Sequence, residues 1–507
     1  MPTPLVPRIR GSFACHAALA ATLLALPSCG SSDTSSPPPP PASSPGPPAE
    51  FTIQYIERLP RIDFVPGSLN PKVEGWPAVG QVVTWRANVK NWFPMAKTVA
   101  VRWLLDGAEV RRADITIPAG GVGTADYQWP WTFTRHLLTF VVDPENRIAE
   151  EEELNNRLAI YTNALTAAFY VEQGFYNYFR LYQHVLPLVH STSFEDWAQR
   201  QISRYNDLFA AAIFPETPQG VLDRYRLDRI YLVPDGSIVN DRNPDPADRT
   251  VDVSWGFPRA QVDAAEPYRN LTDAGDRNQF VYSGYLQHEL GHRRNMIDVY
   301  SFAVYDGLPG HNVDVLEGGV RIADSPFLPS TSLTFNGFPG RMLLPPPVGL
   351  MSQTWTVLDR YSAVMFNRAA GRRRVDEPFG VYMNDLATDN RVLLTDQAGT
   401  PLGGATVSVY RAKRSPDLNQ VVYGRRYAGP PDVTVTADAA GGASLGRNPW
   451  GGTEQIFSDI TSNAVLLLRV AWGGKVGFTF LPVLEFNILY QTGARAVASV
   501  PVSVVLR

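Results

Sequence analysis

The strongest chemical signal in this chain is five consecutive residues, His288, Glu289, Leu290, Gly291 and His292. Two histidines four apart on a helix project from one face, so both imidazoles can bind one metal ion. A glutamate beside the first histidine then lies next to the water on that metal and can accept its proton. The spacing therefore predicts a zinc site on a helix.

The helix that must carry these histidines is predicted from Gln279 to Arg294. Tyr282, Leu286 and Leu290 recur every fourth residue and form an apolar stripe along it. Such a stripe packs one face of the helix against a core and leaves the histidines' face for the metal.

A catalytic zinc site needs a third protein ligand and one open position. Asp298 is the favoured third ligand, ten residues after His288. Between them, Asn295 tolerates a positive φ, so it can end the helix and turn the chain back toward the metal. The rival third ligands are Glu317, His311 and Asp314. They lie in a glycine-bounded segment at residues 310–319, which is predicted as a short strand or loop.

The pattern formed by His288, Glu289, His292 and Asp298 resembles the metzincin zinc peptidases, whose motif is H-E-x-x-H-x-x-G-x-x-H. The last position is aspartate in the snapalysin branch, and Asn295 stands where the family has glycine. The resemblance implies an α+β fold, a zinc cofactor and hydrolysis of peptide bonds. Glu289 would be the catalytic base.

The same resemblance implies a turn with a methionine beneath the metal. Met351 fits that place, since it follows a triproline and precedes a helix predicted over residues 357–367. Several metzincins have a tyrosine two residues later, where this chain has Gln353. The residue that stabilises the oxyanion is therefore left open between Tyr300 and Tyr361.

The N-terminal segment predicts export. Arg8 and Arg10 precede an apolar stretch, residues 13–26, that is too short for a mature spanning helix. Leu26 to Gly30 resembles the bacterial lipobox, which implies that residues 1–28 are a signal peptide and that Cys29 carries a lipid anchor. Residues 29–50 are rich in proline and serine and form an extended spacer. We expect a location at the bacterial outer membrane or cell surface, with the anchor as the only membrane attachment.

Two all-β units are predicted on either side of the zinc helix. Residues 51–163 alternate in the manner of an Ig-like sandwich, and Asp143 to Asn156 resembles the CARDB module of bacterial surface proteins. The acidic run Glu150–Glu153 within it is predicted as a solvated hairpin edge in preference to a calcium site. Residues 377–507 are similar to carboxypeptidase-regulatory or transthyretin-like sandwiches, through Pro401, Leu402 and the Gly404-Ala405 turn.

The fold class that follows is multidomain, with an α+β metzincin-like catalytic domain at residues 164–374 flanked by two all-β sandwiches. Within that domain, helices are predicted at 169–188 and 194–209, and His184 and His190 are assigned to core or surface. Strands are predicted at 227–234 and 251–257, and the second of these is the candidate edge for pairing with extended substrate.

A net charge of -4 over 507 residues argues against nucleic acid as a partner. The leading hypothesis is a surface-anchored, monomeric zinc endopeptidase acting on protein or peptide substrates. The alternative is an adhesion or scaffold lipoprotein whose metallopeptidase-like domain binds without cutting. The intact Glu289 favours the enzyme, because a binding domain needs no general base.

Overall fold

The computed structural model describes residues 49–182, 191, 193–261, 284–335, 338–352, 354, 356–375, 377–414, 425–451 and 464–507. The expected signal peptide, Cys29 and most of the spacer lie outside these residues, as do His184, His190 and Gln353. The molecule is multidomain and mostly β-sheet, with few helices. Within the described ranges, none of the helices combines the length and apolar character that crossing a membrane requires.

The first unit is a sandwich of two antiparallel sheets, with strand orders β1-β2-β5 and β4-β3-β6-β7. Trp85 and Trp103 come from different sheets and are both buried between them, as the alternating sequence predicts. Asp106 and Gly107 both have positive φ and form the hairpin turn expected between the third and fourth strands. The strands are β1 (Phe51–Leu59), β2 (Val82–Asn91), β3 (Lys97–Leu105), β4 (Ala108–Ile117), β5 (Val122–Pro130), β6 (Leu137–Val142) and β7 (Arg157–Tyr161).

The central part begins with a parallel sheet in the order β10-β8-β9, formed by β8 (Leu165–Glu172), β9 (Tyr225–Val233) and β10 (Val253–Phe257). Two helices follow β8, α1 (Gln173–Tyr182) and α2 (Phe194–Ala211). The prediction of a helix from residue 169 is wrong for its first four residues, which belong to β8. Every residue of that strand is buried, and its mostly apolar sequence lacks the alternation of a strand with one exposed face.

The helix predicted to carry the zinc ligands is α3 (Gly284–His292), and residues 262–283, including Tyr282, lie outside the described part. Leu286 and Leu290 are buried in the core, as the apolar stripe predicts. The helix predicted over 357–367 is α4 (Arg360–Arg368), which begins three residues later because Asp359 caps it by accepting a hydrogen bond from the Ser362 backbone N–H.

Between these helices the chain forms short strands. They make a sheet in the order β11-β16-β15 and a small hairpin of β13 with β14. Residues 310–319, predicted as a strand or loop, contain two of them, each two residues long. The strands are β11 (Val304–Asp306), β12 (Asn312–Val313), β13 (Leu316–Glu317), β14 (Val320–Arg321), β15 (Thr331–Phe335) and β16 (Phe338–Leu344).

In its described residues, the last unit contains sheets ordered β22-β17-β25 and β21-β18-β23-β24, and the helix α5 (Leu484–Gln491). It also pairs with the central part of the chain, where β12 forms a parallel pair with β20 of the last unit. The strands are β17 (Asp389–Thr395), β18 (Thr406–Arg411), β19 (Lys413–Arg414), β20 (Arg425–Tyr427), β21 (Val433–Thr436), β22 (Gly442–Ser444), β23 (Val465–Trp472), β24 (Lys475–Pro482) and β25 (Val497–Ser503).

Candidate metal centre

Both histidines of the motif lie on the last turns of α3 with their side chains largely buried. The exposed fraction of the side chain is 10% for His288 and 15% for His292. The two Nε2 atoms are 3.1 Å apart, so both imidazoles point to the same place, as the four-residue spacing predicts.

The other ring nitrogen of each histidine is held by a backbone carbonyl. The Nδ1 of His288 lies 2.8 Å from the Leu350 oxygen, and the Nδ1 of His292 lies 2.6 Å from the Met296 oxygen. A carbonyl only accepts, so each Nδ1 carries the proton in these contacts. Each Nε2 is then the nitrogen that can bind a metal. A hydrogen bond that holds the other ring nitrogen in this way is the support that metal-binding histidines need.

A tight turn after α3 brings the third candidate ligand back to the histidines. Asn295 has a φ of 69°, the left-handed conformation expected at this position, and its N–H donates to the His292 carbonyl. Its side-chain amide donates to the Glu377 and Pro378 carbonyls. The turn places Oδ1 of Asp298 2.9 Å from the Nε2 of His288 and 3.2 Å from that of His292.

These three atoms fit a zinc ion. In a tetrahedral site with bonds of about 2.0–2.1 Å, neighbouring ligand atoms lie about 3.3 Å apart, close to the 2.9–3.2 Å observed here. Two imidazoles and one carboxylate are also a donor set that zinc accepts in catalytic sites, where the fourth position is left open.

Glu289 lies beside this group without belonging to the triangle formed by His288, His292 and Asp298. One carboxylate oxygen of Glu289 lies within 4.8 Å of ligand atoms of both histidines, and its side chain is 6% exposed. A guanidinium nitrogen of Arg242 lies 3.2 Å from this carboxylate. Arg242 comes from the loop between β9 and β10. Sequence reasoning missed it, because that loop has no periodicity that points to the zinc helix.

Met351 packs directly beneath α3. It is fully buried, and a Cβ added to Gly291 would lie 2.5 Å from its sulfur. Only a glycine between the two histidines allows this approach. The neighbouring backbone also supports the site: the Leu350 carbonyl holds His288, and the Met351 carbonyl accepts from the N–H of Val299, next to Asp298. The need for glycine at 291 was not recognised from the sequence.

The rival third ligands are engaged elsewhere. Glu317 forms a bidentate ion pair with Arg469 of β23, with guanidinium nitrogen to carboxylate oxygen distances of 2.5 and 2.7 Å. Asp314 lies 3.3 Å from Arg321 and 3.1 Å from Arg426. The His311 ring packs edge-on against Tyr305. Asp298 is thus the one of these four candidates that the structure places against both histidines.

The two tyrosines left open for the oxyanion occupy different surroundings. Tyr300 stacks nearly parallel to His288, with ring centroids 6.4 Å apart. Tyr361 is buried, and its hydroxyl donates to Asn487 of α5. Tyr300 is therefore the tyrosine beside the two histidines, and Tyr361 faces the C-terminal unit.

The candidate substrate strand, β10, lies at one edge of its sheet and pairs with β8 on the inner side. On the other side the N–H of Gly256 donates to the Asp241 carbonyl. The loop that carries Arg242 therefore occupies the outer edge at this point, and pairing with an extended peptide along all of β10 would require that loop to move.

Electrostatic interactions among His288, His292 and Asp298 stabilise their arrangement in the absence of a metal ion. Burial alone would lower the pKa of His292, but the Asp298 carboxylate outweighs burial and raises that pKa to about 9. Burial would raise the pKa of Asp298, yet the charge of His292 and hydrogen bonds from both histidines hold it well below its usual range. At neutral pH an ionised carboxylate thus faces a protonated imidazole.

This arrangement predicts that zinc binding at pH 7 releases about one proton from His292, because a metal ligand must be deprotonated and the pKa lies above the pH. The apparent zinc affinity should fall about tenfold per pH unit below pH 9. Calorimetry in buffers of different ionisation enthalpy measures the released protons. Release of only about a quarter of a proton, as for an ordinary histidine with a pKa near 6.5, would contradict the coupling with Asp298.

Comparison with known protein families identifies the first unit. Residues 63–160 match the CARDB family model, so this part of the chain is a CARDB domain. The match agrees with the resemblance seen in residues 143–156. No curated protein matches the chain.

Three solved structures are also similar to parts of this chain. A CARDB domain from Pyrococcus furiosus, solved in complex with di-metal ions, is 18% identical over 22% of this chain and 85% of its own, with a TM-score of 0.17. A domain from Methanosarcina acetivorans, described as a cell surface protein, is 30% identical over 20% and 89%, with a TM-score of 0.16. A calcium-binding mutant of Bacteroides uniformis beta-glucuronidase 2 is 9% identical over 88% and 61%, with a TM-score of 0.21. Scores this low carry no argument about function.

Proposed function

We propose that this chain is a zinc-dependent endopeptidase of the bacterial cell surface. Its metzincin-like catalytic domain would span residues 164–374, between the CARDB domain and a carboxypeptidase-regulatory-like sandwich at 377–507. The observation that carries the proposal is the triangle of His288 Nε2, His292 Nε2 and Asp298 Oδ1, with sides of 2.9–3.2 Å and Glu289 beside it.

The chemistry assigned to each residue follows from that placement. A bound zinc ion would polarise a peptide carbonyl and lower the pKa of the attacking water. Glu289 accepts the proton from that water and later donates it to the leaving amine. Arg242, 3.2 Å away, orients the Glu289 carboxylate from the solvent side. Leu350 and Met296 fix the tautomers of the histidines through their carbonyls.

One observation favours a second candidate, a binding domain that does not cut. The ion pair with Arg242 already engages the Glu289 carboxylate, and the loop of Arg242 covers part of the β10 edge. A protein with this arrangement in all its states would act as an adhesion or scaffold lipoprotein. The two candidates differ in turnover, which makes them separable by experiment.

The test is cleavage of an unfolded protein substrate by the purified chain, before and after removal of metal. The endopeptidase proposal expects about one zinc per chain, internal cleavage of the substrate, loss of cleavage with a chelator and its return when zinc is added back. A zinc-loaded chain that leaves every unfolded substrate intact would support the binding role instead.

The membrane attachment proposed for the chain is a lipid on Cys29. Cys29→Ser should release the protein into the soluble fraction, because an acylated cysteine is the only anchor expected. Fractionation followed by a carbonate wash measures the effect, and Cys15→Ser, inside the predicted signal peptide, is the matched control. A Cys29→Ser protein that stays with the membranes would exclude the lipoprotein assignment.

A further inference from the structure

The last unit of the chain contacts the candidate metal centre through its first residues, 377–385. The Phe379 ring lies edge-on against the imidazole of His292, with ring centroids 5.7 Å apart. Two backbone carbonyls of the same segment accept hydrogen bonds from the side-chain amide of Asn295, at 3.2 and 3.0 Å. The last unit therefore packs on one of the histidines and holds the turn that follows α3.

Tyr382 extends this contact to the third candidate ligand. Its side chain is buried, and its hydroxyl oxygen accepts a hydrogen bond from the Ile297 backbone N–H, at 3.0 Å. Ile297 directly precedes Asp298 in the sequence. On the other side of Asp298, the Val299 N–H donates to the Met351 carbonyl at 2.8 Å. The backbone around Asp298 is thus fixed by one contact from the last unit and one from beneath α3.

The last unit holds Tyr382 from its own core. Asn487 of α5 is fully buried, and its side-chain amide donates to backbone carbonyls just after Tyr382, at 3.1 and 2.9 Å. Arg425 of β20 adds a further contact, since its guanidinium donates to the Ala303 carbonyl at 2.6 Å. A packed core deforms little, so these contacts fix the position of the segment that carries Asp298.

We propose that the last unit completes the metal centre and that Tyr382 is a positioning residue for Asp298. The inference rests on the zinc site of the proposed function. Oδ1 of Asp298 lies 2.9 and 3.2 Å from the two histidine Nε2 atoms, so a small shift of its backbone would weaken its bond to zinc. Contacts that hold a metal ligand in place are worth about 10–100-fold in metal affinity. The predicted catalytic domain, residues 164–374, is then incomplete without the residues that follow it.

The experiment is a double-mutant cycle on zinc affinity, measured in the full chain by competition with a chelator. Tyr382→Phe removes only the hydroxyl and should weaken zinc binding by about tenfold. In an Asp298→Ala background the same change should cost less than about twofold, because its effect acts through Asp298. Tyr427→Phe is the matched control, since the Tyr427 hydroxyl is also buried but bonds to the Val465 carbonyl. Its loss should leave zinc affinity unchanged.

Two results of this cycle would overturn the proposal. The first is a Tyr382→Phe variant that binds zinc as tightly as the parent. The second is an equal loss of affinity from Tyr382→Phe in the parent and in the Asp298→Ala background, because a general structural effect does not depend on the ligand.

Hydrogen exchange of the metal-free protein tests the same contact without zinc. Tyr382→Phe leaves the buried Ile297 N–H without its partner, so this amide should exchange about tenfold faster than in the parent and in Tyr427→Phe. Mass spectrometry of a peptide covering residues 293–302 measures it, and unchanged exchange would contradict the proposal. A parent that binds no zinc would refute the peptidase proposal, whereas the exchange result would still decide whether Tyr382 holds the backbone before Asp298.

Discussion

His288→Ala and His292→Ala should each remove zinc from the purified protein. Each change deletes one of three atoms in a triangle with sides of 2.9–3.2 Å and leaves only two of the three protein ligands that a catalytic zinc site needs. The loss of zinc affinity should exceed the roughly 10–100-fold that loss of a contact supporting a ligand costs. Metal analysis after dialysis against a weak chelator measures it.

His311→Ala is the matched control for this prediction. His311 is also buried, but it packs against Tyr305, and its variant should retain zinc like the parent. Zinc at full occupancy in both His288→Ala and His292→Ala would place the metal elsewhere. Zinc lost from His311→Ala but retained in the other two would return the third-ligand question to the 310–319 segment.

Glu289→Gln should retain zinc and lower turnover by about 10²–10⁴. The amide has nearly the same shape as the carboxylate but cannot accept the proton of the attacking water. Glu289 also stands outside the triangle of ligands, so its replacement should leave the metal in place. Steady-state cleavage of a fluorogenic peptide, together with zinc content, separates the two effects.

Glu151→Gln, an identical change at an exposed position of the CARDB domain, should cleave at the parent rate. Equal turnover by Glu289→Gln and the parent would refute the assignment of Glu289 as the base. Loss of zinc together with turnover would instead make Glu289 a ligand, which its pairing with Arg242 does not suggest.

The local part of the site was accessible from sequence because its geometry depends on short-range spacing. A four-residue separation on a helix fixes how His288 and His292 face each other, whatever the rest of the fold. The left-handed turn at Asn295 is likewise a local property, and it explains how Asp298 reaches the histidines. The CARDB sandwich was accessible for a similar reason, since alternation of apolar residues identifies a half-buried strand.

The supporting part was not accessible, because it depends on segments that meet only in the folded chain. The Leu350 carbonyl lies 62 residues from His288, and Arg242 lies 47 residues before Glu289. Neither segment carries a pattern that points to its partner. The strand at Phe169 was misassigned as helix for a related reason: a run buried on both faces has no period that separates strand from helix.

The most direct test of the central claim is an anomalous difference map at the zinc absorption edge from crystals of the zinc-loaded protein. The account predicts one peak per chain within about 2.0–2.2 Å of His288 Nε2, His292 Nε2 and an Asp298 carboxylate oxygen, with Glu289 outside bonding distance. A peak bonded to neither histidine, or one whose third protein ligand is Glu317 or His311, would contradict it.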